Sequence, residues 1–264
     1  MNSSKNISEY YEALCASFFK QLKKSKKLDK EAIHDLRVDV KQIRAVAELS
    51  RHLCKNFPFK KTLKELKALY SSAGKQRTLI INQKLITKYD FEKEIIVELE
   101  KQRIKTSKKL KKEIKLFDSN RFKKICDKGI KALKSANEEK TNSQTLLQTK
   151  KILNDIKRGI SRRDIPDSEL HEIRKKLKMV KTNLHLLIDL NAADNMYKAL
   201  YSKIKSAETA VGEWHDKAVL YEVTELLSGK LVLSRKTLSS LLKLKAINQK
   251  EKSEAIIQLR LLYK

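Results

Sequence analysis

Two stretches of the chain carry the same file of cations. Ile33-His-Asp-Leu-Arg-Val-Asp-Val-Lys-Gln-Ile-Arg44 returns 137 residues later as Leu170-His-Glu-Ile-Arg-Lys-Lys-Leu-Lys-Met-Val-Lys181. In this register His34 aligns with His171, Arg37 with Arg174, Lys41 with Lys178 and Arg44 with Lys181. On a helix these positions, i, i+3, i+7 and i+10, fall within about 80° of one another. Each helix would thus present a basic ladder, and no carboxylate lies within either ladder to cancel its self-repulsion. Glu48 could do so only at the end of the first. The chemistry this suits is binding of an extended polyanion. A chance amphipathic helix would have to arise twice in register.

A second pair follows at nearly the same offset. Gly74-Lys75-Gln-Arg77-Thr78 corresponds to Gly212-Glu-Trp-His215-Asp216, so that Arg77 matches His215 and Thr78 matches Asp216. Glycine within a helical pattern costs about 1 kcal/mol relative to alanine. Two of five glycines at matching places suggest close helix packing or a kink. Trp214 reads as a packing residue beside the second glycine, and His52 and His185 as ordinary surface or boundary residues.

The elements that must position these residues are helices. Beside each ladder runs an apolar stripe, with Ile33/Leu170, Leu36/Ile173, Val40/Leu177, Ile43/Val180 and Ala47/Leu184 in register. Three- and four-residue apolar spacing predicts helices over Ile7–Leu28, Asp29–Lys55, Lys60–Lys88, Tyr89–Leu116, Arg121–Ala136, Ser143–Ile160, Asp167–Leu190, Ala193–Leu227, Lys236–Leu244 and Lys250–Leu262. Asp29 is placed to cap the second, and Asp167 or Ser168 the seventh after Pro166. Pro58 ends the second segment, and Ala136–Thr145 and Ile160–Pro166 read as linkers. Lys101–Lys115, with seven Lys and one Arg, reads as a basic helix face rather than a disordered tract.

Composition narrows the class. Glycine (5) and proline (2) are too few in 264 residues for sandwiches, barrels or dinucleotide-binding folds. The formal net charge of +28 calls for a polyanionic partner or surface. Lys accounts for 48 of the 60 basic residues, so a solvated basic surface explains part of the excess; the 12 arginines at special positions carry more meaning. No run of apolar residues is long enough to span a membrane. Ala13–Phe19 lacks the basic flank of a secretory signal, and the expected location is cytoplasmic. Cys15, Cys54 and Cys126 are unclustered and read as buried thiols. No Walker loop, HExxH or Ser-His-Asp arrangement is present, and neighbours such as His34-Asp35 or His215-Asp216 diverge on a helix rather than share a metal. The expectation is a protein that is not an enzyme and takes no metal or cofactor.

The four motifs together resemble the CHAD family, the conserved histidine α-helical domain, over roughly Ser8 to Leu262. The resemblance implies an all-α fold of two four-helix-bundle-like halves related by a pseudo-two-fold axis, here divided as 1–160 and 161–264. It implies binding of inorganic polyphosphate by basic residues between the halves. The residues carried over are His34, Arg37, Lys41, Arg44, Lys75, Arg77, His171, Arg174, Lys178, Lys181 and His215. Thr78 departs from the family's usual acid. Some relatives carry a triphosphate-cleaving domain with an ExExK strand. Glu98-Leu-Glu100-Lys-Gln102 lacks that lysine and lies in a helical pattern. Aromatic residues, at 6%, do not interleave with the ladders as stacking platforms for bases. Weaker, sequence-nonspecific RNA or DNA binding is the alternative, because so basic a chain attracts any phosphate backbone. The histidines, with an ordinary pKa of about 6.5, are expected to add a pH-dependent charge to the site.

Overall fold

The computed structural model describes residues 6–263 apart from 90, 191 and 230–234, and not the side chains of His52 and Glu138. Among the described residues there are nine α-helices and no strand. They are α1 (Ile7–Ser25), α2 (Lys30–Leu53), α3 (Phe59–Ile86), α4 (Lys93–Leu116), α5 (Ser119–Leu133), α6 (Glu138–Ile160), α7 (Asp167–Asp189), α8 (Asn195–Ser228) and α9 (Arg235–Leu261).

The apolar stripes beside the ladders do what their spacing predicts. All ten matched positions, from Ile33 to Ala47 on α2 and from Leu170 to Leu184 on α7, are buried. Each Val, Leu or Ile side chain among them contributes about 1.5–3 kcal/mol by leaving water. Asp29 caps α2, its Oδ1 accepting from Ala32 N–H at 2.7 Å. At α7 the N-cap is Pro166, without a side-chain cap. Asp167 instead lies 2.7 Å from Lys252 Nζ.

Two expectations need correction. The stretch 136–145 is not a linker, because α6 already begins at Glu138, capped by Asn137 Oδ1 accepting from Lys140 N–H. Its polar composition misleads because Thr141, Thr145 and Thr149 are buried. Each donates its hydroxyl to the carbonyl four residues back, at 2.8, 2.8 and 2.7 Å, which satisfies that donor within the helix and lets the methyl pack in the interior; Thr149 Oγ1 also accepts from Asn183 Nδ2 at 3.3 Å. The last two predicted helices are one, α9. Nothing between Leu244 and Lys250 is a glycine or proline, so nothing stops the turn-by-turn hydrogen bonding.

Three cores hold the helices. The first joins α1, α2, the start of α3, the end of α4 and α5, with Leu186 and Leu190. The second joins α6, α7, most of α8 and the end of α9. Ile156 and Ile160 of α6 belong to the second core. The helices α1–α4 and α6–α9 then run in the same order, the repeated ladders on α2 and α7, with α5 between them. The third core is where the ends of α3 and α8 meet the starts of α4 and α9, through Leu79, Ile86, Ile95, Leu99, Leu220, Leu227 and Leu244. It stitches the two groups together and leaves a cleft beside it, between α2–α3 and α7–α8.

Among the thiols, Cys15 and Cys126 are buried as expected, and a hydrogen bond donated by the Cys15 thiol to Cys126, together with burial, pushes the Cys15 thiol up. Cys54 is only half-buried, because it lies in the α2–α3 turn. No helix of the described residues is long and apolar enough to cross a membrane.

Candidate anion-binding site

The cleft between the two groups has a volume of about 790 Å³. α2 contributes His34, Arg37 and Lys41, α3 contributes Lys75 and Arg77, α7 contributes Arg174 and Lys178, and α8 contributes His215. Eight of the eleven residues singled out from the sequence thus line one space. The two ladders reach it from opposite walls, because each runs along the border of a stripe buried in its own core.

The remaining three stand just behind. Arg44 lies over the Tyr70 ring at 4.9 Å. Lys181 Nζ lies 2.9 Å from Glu208 Oε2. His171 Nδ1 lies 3.4 Å from His215 Nδ1, so the two imidazoles share a proton only if one donates and the other accepts.

Sequence reasoning missed the residues that counter these charges. In the first wall Arg37 lies over the same Tyr70 ring at 5.1 Å, and its Nη1 donates to the Tyr70 carbonyl at 3.4 Å. In the second wall the partners are carboxylates, Glu208 for Lys181 and Asp216 for Arg174, the latter at 3.8 Å. Tyr70 and Glu208 each stand four residues before a glycine of the repeated pair. That shared offset was the available signal. The two walls are therefore built alike but charged differently: stacked guanidinium groups on one side, ion pairs on the other.

The glycines act differently from expectation. A Cβ on Gly74 would come within 2.6 Å of Arg37 Nη1, whereas one on Gly212 would meet nothing within 4 Å. Neither marks close packing of helix backbones. Gly74 makes room for a guanidinium, and Gly212 faces open space in the cleft. Trp214 is buried beside it, as a packing residue should be.

Burial, reinforced by the crowding of like charge, sets the protonation states. Burial, then Arg174 and Lys41, pushes the Lys178 ammonium down to about 7. Burial and Arg37 push Lys41 down to about 8. His215 falls to about 3 through burial, Arg174 and His171. His34 is lowered by burial and Arg77, and His171 by burial and Lys175. Burial and neighbouring cations thus favour the neutral form of these histidines, and they bring Lys178 and Lys41 closer to neutral pH than an ordinary lysine. Burial pushes the Glu208 carboxyl up, but Lys181, Lys178 and Arg174 together outweigh it and leave the group below its usual range. Asp216 is raised, burial outweighing its cationic neighbours.

Among the described residues no group of three or more His, Cys, Asp or Glu is placed to hold a metal ion. The arrangement instead offers many donors and fixed positive charge to a ligand rich in anionic oxygens.

The sequence model of the CHAD domain matches residues 10–225. The chain belongs to the CHAD family. The match takes in both ladders and both glycine motifs and ends before α9. No curated protein sequence matches the chain. Two solved structures share its fold. PptA from Streptomyces chartreusis is 15% identical with a TM-score of 0.70, the alignment covering 97% of each chain. The CHAD domain from the plant Ricinus communis is 12% identical with a TM-score of 0.69, over 98% of this chain and 93% of that one. The CHAD fold thus accounts for α9 as well.

Proposed function

We propose that this CHAD protein binds inorganic polyphosphate in the cleft between its two helix groups, and that the site binds without cleaving. The observation that carries this is the convergence of Arg37, Lys41, Arg174 and Lys178 from two walls on one space with too few counter-charges. Cations at such density depress one another's proton affinity, and a polyanion relieves the cost. Arg37 and Arg174 offer planar forks to phosphate oxygens, and the lysines act as point charges. The Tyr70 ring is taken up by Arg37 and Arg44, which leaves it poorly suited to stack a base. Glu208 and Asp216 are engaged by cations, so neither is free to activate water. His34, Lys75, Arg77 and His215 complete the lining; Arg44, His171 and Lys181 support it from behind.

The test is competition. Labelled polyphosphate bound to the protein is challenged with RNA, DNA and orthophosphate at equal phosphate concentration, and the mixture with Mg²⁺ is assayed for released orthophosphate. Displacement by unlabelled polyphosphate well before RNA, with no release, is expected. Equal displacement by RNA would overturn the assignment in favour of nucleic acid, and release would make the protein an enzyme.

A further inference from the structure

A second basic pocket, of about 750 Å³, lies outside the cleft at the turn between α2 and α3. Its floor is apolar, with Phe57, Phe59 and Ile125, and its rim includes Arg51, Lys124 and Lys128. None of its described lining residues is acidic. One nearby cation, Arg121, is already paired with Glu65 at 2.9 Å.

The pocket is connected to the cleft by α2. Arg37, Arg44 and Arg51 are spaced by seven residues, two helical turns, and so fall on nearly one line of the helix. Each guanidinium lies over an aromatic ring of α3: Arg37 and Arg44 over Tyr70 at 5.1 and 4.9 Å, Arg51 over Phe59 at 5.5 Å. Because α3 returns alongside α2, the three stacked arginines form one file along the seam. It starts in the cleft, passes Arg44 and ends in the second pocket. Its length is about 21 Å at about 1.5 Å per residue. Stacking holds each guanidinium plane in place while its outward N–H groups stay available. Glu48, exposed between Arg44 and Arg51, is the one carboxylate of α2 on this stretch.

We infer that the file and the second pocket form an outer track for the same polyanion, engaged only by inorganic polyphosphate long enough to leave the cleft along the α2–α3 seam. The inference rests on the polyphosphate reading of the cleft. A triphosphate is too short to span the seam and would occupy the cleft alone; a chain of tens of phosphates would reach Arg51, Lys124 and Lys128. Binding would then depend on chain length through identifiable residues. An apolar floor under a basic rim would equally admit a nucleotide, and ATP is therefore included as a probe.

The experiment compares triphosphate, long-chain polyphosphate and ATP on the full chain and on the triple variant Arg51→Gln/Lys124→Gln/Lys128→Gln. Arg37→Gln serves as the cleft control. All three outer side chains belong to exposed residues, and an unchanged thermal midpoint checks the fold. Lys124→Gln/Lys128→Gln, which leaves the Arg51–Phe59 contact intact, provides a second, milder variant. The expected result for the triple variant is a loss of about tenfold or more in long-chain affinity. The salt dependence of that affinity should become shallower by about two counterions. Triphosphate affinity should stay unchanged, and the double variant should lose part as much. Equal loss for both lengths, or no loss for the long chain, would overturn the track. ATP binding lost in the triple variant, with long-chain polyphosphate unaffected, would make the pocket a nucleotide site and also overturn it. Failure of the cleft reading looks different: neither length would bind the unaltered protein, or Arg37→Gln would leave both affinities intact.

Discussion

A glycine that makes room for a guanidinium can be tested separately from one that merely lines open space. Gly74→Ala and Gly212→Ala should each gain about 0.5–1 kcal/mol of helix stability. Only the first should weaken polyphosphate binding, because its Cβ would push aside Arg37 Nη1, the flexible end of a side chain. Thermal midpoints and affinities of the two variants check this; equal affinities would show that the position of Arg37 is unimportant. Glu208→Gln tests the opposite sign. It removes a carboxylate that draws on Lys181 and Lys178, and affinity should rise about threefold to tenfold, as expected for one charge-assisted contact of about 1 kcal/mol. The measurement belongs near pH 6, below the value of about 7 to which Lys178 is pushed, because loss of Glu208 lowers its proton affinity further. The ladder residues were legible in the sequence because their spacing repeats. Tyr70 and Glu208 were not, because their roles depend on which residue of a neighbouring helix each one meets, and a tyrosine in one copy gives no hint of a glutamate in the other.

At the scale of the helices, α2 and α7 bring Lys41 close enough to Lys178 to lower its proton affinity, and Arg174 of α7 does the same to Lys41. The ligand-free Lys178 holds its proton only below about pH 7, and Lys41 below about 8, whereas an unfolded chain keeps both to about 10.4. Between these values the unfolded state binds more protons, so this pair makes the empty protein more stable as pH rises from about 7 to about 10. A bound polyanion favours the charged lysines, so affinity should run the other way and tighten from about pH 9 to about pH 6. Lys41→Arg/Lys178→Arg should flatten the profile, while His34→Ala/His171→Ala should leave its slope nearly intact. Affinity followed by titration over that range decides between lysine and histidine control. The sequence suggested histidine, since an imidazole ordinarily titrates there; the expectation of lysine control comes from burial and from the Arg174 charge beside His215. Helix positions themselves were largely readable, except where Thr141, Thr145 and Thr149 bury methyl groups under a polar name.

For the molecule as a whole, the third core decides whether the two helix groups behave as one. Leu99 and Leu244 are buried where α4 and α9 meet the ends of α3 and α8. Leu99→Ala or Leu244→Ala should cost about 2–5 kcal/mol and lower polyphosphate affinity as well, though neither residue lines the cleft. Calorimetry should show a single transition in the parent and, in these variants, a lower or split one. No local pattern announced this core, because its members come from two helix pairs, α3–α4 and α8–α9, distant from each other in sequence. The net charge of +28 adds a further expectation: self-repulsion should make the ligand-free protein more stable as salt is added, and added polyphosphate should raise the thermal midpoint.

The difference between Tyr70 and Glu208 also bears on the order of events when a bound chain departs. A polymer of identical units has no preferred direction, but the walls that hold it are unequal. On the α2–α3 side the cations face it backed by an aromatic ring; on the α7–α8 side they are shared with carboxylates. Under the proposed function, release would begin as fraying from the α7–α8 wall while the α2–α3 wall still grips. Recapture from that half-released state would be fast, and residence time would be governed by the slower grip alone.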